Sequence, residues 1–115
     1  MKWAFKMLEI KTKFHFSHEM KLEGKGTDKI INICKFLKFE NYLSTHGSSA
    51  YLKNDLEKFS KNNIKLYFHN YEHPKYNQIY KPFMPNACIL DLLFNEGPSS
   101  LKIIQSGRKK LKRFI

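Results

Sequence analysis

Residues 24–45, GKGTDKIINICKFLKFENYLST, decide the fold class because they predict a helix that leads directly into a strand. Ile30, Cys34 and Leu37 recur at helical spacing and would form the apolar face of that helix. Thr27 or Asp28 is expected to cap the first turn, since both side chains accept hydrogen bonds from free backbone amides. The segment that follows, NYLST at residues 41–45, predicts a short strand.

The same order of helix and strand is repeated downstream. Residues 48–63, SSAYLKNDLEKFSKNN, predict a second amphipathic helix with Leu52, Leu56 and Phe59 on one stripe. Ser48 or Ser49 is its expected cap. Residues 64–69, IKLYFH, alternate apolar with mainly polar side chains, which is typical of a strand that buries one face.

A loop and two short helices complete the pattern. Prolines punctuate residues 70–85, which therefore predict a long loop. The segment NACILDLLF predicts a helix that Asn86 caps and Gly97 ends, and Pro98 is expected to open another helix. Helices that alternate with strands predict a small layered α/β fold, in which a short parallel sheet is flanked by helices.

Length and composition limit the class of protein. A chain of 115 residues has room for one small domain, and a hydrophobic content of 42% is typical of globular proteins. No run of about 18 apolar residues predicts a membrane span. Charges interrupt the N-terminal segment, so no signal peptide is predicted and a cytoplasmic location is expected. Cys34 and Cys88 each lie in an apolar stretch and are interpreted as buried thiols, not as a disulfide.

The basic charge of the chain allows two interpretations. Lys and Arg number 21 against 10 acidic residues, which gives a net charge of +11. Nucleic acid is not the expected partner, because Arg108 and Arg113 are the only arginines and arginine dominates base and bidentate phosphate contacts. The basic tail, residues 108–115, either binds a polyanion or membrane surface or is a solvated terminus.

The segment HNYEHPKY, residues 69–76, contains the His-x-x-Glu-His spacing of one class of zinc peptidases. That site needs a helix to bring both histidines to one metal ion. His69 instead falls at a predicted strand end, and Pro74 moves His73 out of the helical region. On an extended chain the two histidines lie about 13 Å apart. The sequence therefore predicts no metal site, and it predicts no cofactor.

Two longer segments resemble the WbqC-like protein family. They are YEHPKYNQIYKPFMPNACILDLLFNEGP, residues 71–98, and GKGTDKIINICKFLKFENYLS, residues 24–44. The resemblance runs in one order from about residue 17 to about residue 104, with Cys88 where the family has serine and Phe39 where it has glycine. Family members are about twice as long and begin with a motif that this chain lacks. The resemblance thus implies the C-terminal half of a larger α/β domain, at residues 17–107, after a divergent lead-in at residues 1–16.

The resemblance also implies a function. Members of the family are suspected of acting on nucleotide-linked or lipid-linked sugars in bacterial surface polysaccharide and O-antigen biosynthesis, with the reaction unassigned. The alternative is a non-catalytic basic module that binds a polyanion or a partner subunit, whose binding would weaken steeply with salt. Self-association, or a partner chain that supplies the missing N-terminal half, is expected because half a sheet leaves an open edge.

Two residues are candidates for catalysis. Asp91 lies in the apolar segment ILDLLF, where a carboxylate is costly unless it is paired or faces a cleft. His73 carries an imidazole, the side chain best suited to acid–base chemistry near neutral pH. Structural roles are open for both: Asp91 as a helix residue bonded to the nearby loop, and His73 as a turn residue that packs on Tyr76.

Five further residues are candidates for substrate binding. Gln78 and Asn95 carry amides that suit sugar hydroxyls, although Asn95 is equally suited to capping. Tyr76 either stacks on a sugar ring or covers the core. Lys25 and Thr27 precede a helix at a point where phosphate could bind, or take part in ordinary capping.

Overall fold

The structure is a computed structural model that describes residues 2–113. In chain order, its helices and strands are α1 (Lys2–Met7), α2 (Gly26–Phe36), β1 (Asn41–Ser44), α3 (Ser49–Leu52), α4 (Leu56–Lys61), β2 (Lys65–Phe68), α5 (Ile89–Glu96), α6 (Ser100–Ser106) and β3 (Lys112–Arg113). Short 3-10 turns lie at His46–Ser48, Lys53–Asp55 and Gly97–Ser99. The chain divides into two compact units. The sheet unit comprises Phe14–Asn70 with residues 110–113, and the loop unit comprises residues 2–13 with Tyr71–Lys109.

The sheet unit confirms the predicted α/β class. Strands β1 and β2 are parallel, in a register that pairs Asn41 with Lys65 and Ser44 with Phe68. The chain passes from β1 to β2 through α3 and α4, as a parallel pair requires. Strand β3 then pairs with β2 antiparallel, which the sequence did not predict, so the described end of the basic tail extends the sheet.

The core of the sheet unit follows the predicted apolar stripes. Leu66 and Phe68 of β2 are buried, whereas Lys65 between the flanking apolar positions is exposed. Phe59 of α4 is fully buried and stacks on Tyr42 with a centroid distance of 6.0 Å. Burial of such a side chain contributes about 1.5–3 kcal/mol to stability. The remaining buried members of the core are Ile31, Cys34, Leu52 and Ile64.

The predicted caps of the first two helices are wrong. Lys25 occupies the position before α2 and makes no capping bond through its side chain. Thr27 lies inside the helix, and its hydroxyl donates to Asp55 Oδ2 over 2.6 Å. Asp28 instead accepts from Lys58 Nζ over 3.0 Å. Both side chains are therefore used in tertiary contacts rather than at the helix end.

The predicted helix at residues 48–63 is interrupted. Asp55 has φ −110° and ψ 16°, outside the helical region, so that α3 and α4 are separate helices joined by a 3-10 turn. The hydrogen bond from Thr27 and an ion pair of 3.5 Å with Lys58 hold Asp55 at this break. Ser48 and Ser49 do not cap α3 through their side chains, since Ser48 Oγ pairs with Thr45 Oγ1 over 3.1 Å.

The loop unit holds α1, α5, α6 and the segment between Tyr71 and Cys88. Gly97 ends α5 with φ 50° and Pro98 opens the turn into α6, both as predicted. Asn86 does not cap α5; the cap is Cys88, whose Sγ accepts from Leu90 N over 3.2 Å. Cys88 is accordingly exposed, contrary to the prediction that it is buried.

Packing in the loop unit is centred on α5. Leu92 is buried, and the fully buried Ser100 donates from Oγ to its backbone oxygen over 3.3 Å. Leu8, which directly follows α1, is also buried, although sequence reasoning gave residues 1–16 no role. Within residues 2–113, none of the helices has the length and apolar character needed to cross a membrane.

Candidate functional site

A carboxylate from α5 and three polar side chains around it form the most connected hydrogen-bond network of the loop unit. Tyr76 Oη donates to Asp91 Oδ2 over 2.6 Å, and Gln78 Nε2 donates to the same oxygen over 2.9 Å. Asn95 Nδ2 donates to Oδ1 over 3.1 Å, one helical turn further along α5. We call Tyr76, Gln78, Asp91 and Asn95 the Asp91 cluster. The structure thus brings together four of the seven candidates.

Side-chain amides of the cluster also fix the backbone of the loop. Gln78 Nε2 donates to Met84 O over 3.0 Å, while Met84 N donates to Gln78 Oε1 over 2.8 Å. These two reciprocal hydrogen bonds join the ends of the segment 78–84, in the way that two paired residues of neighbouring strands are joined through their backbones. Asn95 Oδ1 accepts from Ile79 N over 3.1 Å and its Nδ2 donates to Asp91 O over 2.7 Å. The loop is therefore held against α5 by two amides, with the carboxylate between them.

The electrostatics of the cluster keep the shared proton on the phenol. The hydrogen bond from Tyr76 is the largest cause that lowers the pKa of Asp91 below 3.8; bonds from Gln78 and Asn95 also lower it, and desolvation opposes them. Burial is the largest cause that raises the pKa of Tyr76 above 10.0, followed by the bond to Asp91. At neutral pH Asp91 is thus an ionised acceptor and Tyr76 a neutral donor. This state suits hydrogen bonding to ligand hydroxyls and does not supply a proton from Asp91.

His73 contacts the cluster through aromatic rings. Its ring centroid lies 6.4 Å from that of Tyr76 and 6.4 Å from that of Phe83. Tyr76 and Phe83 meet edge to face at 5.3 Å. The packing of His73 on Tyr76 is the arrangement expected of a turn histidine. An acid–base role for His73 stays a prediction.

An open groove of about 580 Å³ lies over the cluster, with a volume that suits a small molecule. Gln78, Asp91 and Asn95 contribute its polar surface. Its walls are mainly apolar and include Ile79, Tyr80, Phe83, Met84 and Phe94, with Lys81 as a cation. Sequence reasoning did not single out these wall residues. The available signal was the segment IYKPFMP, in which large apolar residues sit in a proline-rich loop that cannot bury all of them.

Lys25 and Thr27, the predicted phosphate contacts, belong to the sheet unit and not to the Asp91 cluster. Thr27 is buried, and its hydroxyl donates a hydrogen bond to the carboxylate of Asp55. That hydrogen bond is the largest cause that lowers the pKa of Asp55, with Lys58 acting in the same direction and desolvation opposing both. A carboxylate beside Thr27 repels phosphate, so the geometry favours the structural role that the sequence left open.

The zinc-like spacing at residues 69–73 does not form a ligand set. His69 directly follows β2, at a strand end as predicted. Across residues 2–113, no three or more His, Cys, Asp or Glu side chains are grouped so as to hold a metal ion.

Comparison with known proteins connects this geometry to a family. A model of the WbqC-like protein family matches residues 1–103, which confirms the resemblance found in the sequence motifs and includes the residues before 17. The chain is also similar to "Uncharacterized protein Rv1507c" of Mycobacterium tuberculosis (strain ATCC 25618 / H37Rv), at 30% identity over 91 residues. These cover 78% of this chain but 38% of the length of that relative. No solved structure matches the chain.

Proposed function

The chain belongs to the WbqC-like protein family, and from this premise we propose that the Asp91 cluster and its groove bind the saccharide part of a sugar-linked substrate. The process we propose is bacterial surface polysaccharide biosynthesis in the cytoplasm, with the reaction unassigned. The observation that carries the proposal is the ionised Asp91 carboxylate, held by three side-chain donors at the floor of an open groove with apolar walls.

This arrangement has the chemistry that saccharide binding requires. Asp91 Oδ2 accepts two hydrogen bonds and Oδ1 accepts one, which leaves acceptor capacity on Oδ1 for a hydroxyl. The ring of Phe83, beside the cluster, offers an apolar surface for the carbon-bound face of a sugar ring. The polar side chains of the Asp91 cluster thus orient the sugar through hydrogen bonds, and the apolar walls of the groove bury its apolar surface.

His73 is the residue that we propose for any proton transfer near this site. Its ring is exposed and in contact with Tyr76 and Phe83, so it lies beside the cluster without being locked in it. Asp91 is better suited to positioning than to donating a proton, because it is ionised at neutral pH. If a turnover assay is found, we expect His73→Gln to lower its rate, because glutamine cannot transfer a proton, and to leave saccharide binding unchanged.

We also propose that the chain associates with a partner strand through β1. In the described sheet β1 is an edge strand with β2 as its neighbour, and Leu43 on it is 51% exposed. Open edges that carry apolar side chains favour pairing with another chain. Light scattering over a range of concentrations tests this, and a monomer at every concentration would contradict it.

Titration calorimetry with mono- and disaccharides, at low and high ionic strength, tests the saccharide site. We expect binding that persists at high salt and is lost in Asp91→Asn. Asp28→Asn is the matched control, because its carboxylate makes an exposed ion pair in the sheet unit. Circular dichroism verifies that both variants are folded. Binding that survives Asp91→Asn, or that collapses with salt, would contradict the proposal; salt-sensitive binding of polyanions would favour the basic-module alternative.

A further inference from the structure

We propose that the natural ligand of the groove is an amphiphile, a saccharide joined to an apolar chain, rather than a nucleotide-linked sugar. The inference rests on the proposed saccharide site and adds the class of substrate. It is carried by the walls of the groove and by a second cavity next to it.

The walls of the groove expose an unusual amount of apolar surface. Among residues 2–113, the four most exposed large hydrophobic side chains all line this groove. They are Tyr80, Ile79, Phe94 and Met84, with 86%, 81%, 78% and 69% of their surface accessible. Scattered exposed apolar residues need no explanation, but a contiguous group of them marks a binding surface. A ligand that contacts these walls gains affinity only through an apolar part of its own.

A second cavity, of about 370 Å³, adjoins the groove at Phe94, which lines both. It lies within the loop unit, between α1 and the helices α5 and α6. Its lining is apolar and includes Trp3, Met7, Leu93 and Leu101. Glu9 is the only charged residue among those that line it, all of which the structure describes. The carboxylate of Glu9 disfavours phosphate in this cavity, whereas an uncharged apolar chain meets mainly apolar walls.

The charges of the groove itself also disfavour a nucleoside diphosphate. Among the described residues that line the groove, Lys81 is the one cation, and it faces the same groove as the ionised Asp91. Two phosphates would lie near a carboxylate with a single lysine to offset their charge. An apolar chain that leaves the saccharide at the Asp91 cluster and passes Phe94 has no such cost and fills the adjoining cavity.

Alkyl glycosides with one sugar head and chains of increasing length test this inference on the full chain, below the concentrations at which they form micelles. Trp3, the sole tryptophan, lines the cavity and is a fluorescence reporter of occupancy. We expect affinity to rise about fourfold for each methylene that becomes buried, until the cavity is filled. A uridine-diphosphate sugar with the same head is expected to bind no more tightly than the methyl glycoside.

Phe94→Ala removes the side chain that lines both cavities. It is expected to leave the fold intact, because that side chain is largely exposed. We expect it to weaken binding of the longest glycoside about tenfold or more and to flatten the dependence on chain length. Phe36→Ala is the control, since Phe36 is also exposed, at 58%, but lies in the sheet unit. Met7→Asp, at a half-exposed position that lines the second cavity alone, is an independent variant with the same expected flattening.

The outcomes distinguish this inference from the saccharide site on which it rests. Equal affinity for methyl and long-chain glycosides, or tighter binding of the uridine-diphosphate sugar, would overturn the amphiphile and leave the saccharide site standing. Failure of every glycoside to bind would overturn the saccharide site itself. Equal binding of an alkyl chain with a non-sugar polar head would show that the head is not recognised, and would overturn both.

Discussion

Replacing Gly107 with alanine is expected to destabilise the loop unit through steric overlap rather than through an unfavourable backbone conformation. Gly107 follows α6 with φ −76° and ψ −4°, values that alanine adopts freely. A Cβ there would overlap the backbone oxygen of Glu72 and would lie 2.6 and 2.7 Å from two ring atoms of Tyr71. The contact is fixed from both sides, since Glu72 N donates to Gly107 O over 2.9 Å and Tyr71 pairs with Arg108 in an antiparallel bridge.

The expected loss of stability depends on how far residues 71–72 and residue 107 must separate to make room for the added Cβ. Overpacking of this kind costs about 1–3 kcal/mol. Separating the two segments to relieve it weakens the hydrogen bond between Glu72 and Gly107, which costs about 0.5–1.5 kcal/mol more. The lower backbone entropy of unfolded alanine returns about 0.4–1 kcal/mol. We therefore expect Gly107→Ala to lower the free energy of unfolding by about 0.5–4 kcal/mol.

Urea unfolding followed by Trp3 fluorescence and by circular dichroism measures this change, since Trp3 belongs to the same unit as Gly107. Gly47→Ala is the matched control: a Cβ at Gly47 meets no atom within 4 Å, so we expect it to be neutral or to stabilise by up to about 1 kcal/mol. The slope of free energy against urea should be unchanged in both. If Gly107→Ala is as stable as Gly47→Ala, the close approach of residues 72 and 107 is wrong.

Three further changes test other parts of the structure. Leu66→Ala, at a fully buried position of β2, is expected to cost about 2–5 kcal/mol in urea unfolding, and Leu43→Ala, half exposed on β1, less than about 1 kcal/mol. The lowered pKa of Asp91 contributes stability that is present above pH 3.8 and is lost as the pH falls through the lower folded value; Asp91→Asn should remove this loss in acid unfolding curves. Cys88→Ala should cost about 0.5–1 kcal/mol in thermal unfolding because the cap of α5 is lost, whereas Cys88→Ser should retain or raise stability.

The sequence predicted the parts of the fold that depend on local periodicity. Alternation in IKLYFH correctly predicted the burial of Leu66 and Phe68, and the helix between the two strands correctly predicted a parallel pair. The break at Asp55 was not predictable, because the apolar stripe runs through it and the hydrogen bond that holds it comes from Thr27, 28 residues away. Helix α1 was missed because KWAFKM is short and charges interrupt it.

The candidate site was predictable in its members but not in its connections. Asp91 was singled out because a carboxylate within ILDLLF is energetically costly. In the structure this cost is offset by hydrogen bonds that Tyr76, Gln78 and Asn95 donate to the carboxylate. The prediction failed at the start of α5, where Asn86 adopts φ 58° and Cys88 caps the helix. Sequence offers several polar residues before a helix, and the path of the preceding loop decides which of them reaches the free amides.

The same contacts that fold the loop also prepare the Asp91 cluster for a ligand. In the described part of the chain no helix or strand covers residues 73–87, so Gln78 and Asn95 supply through their side chains hydrogen bonds that a regular element supplies through its backbone. A ligand that displaced either amide would unfold the loop and lose the energy it gained. A hydroxyl that binds Asp91 Oδ1 displaces neither, since that oxygen accepts one bond and retains a free lone pair. Because the loop is ordered before the ligand arrives, little of the binding energy is lost in ordering it.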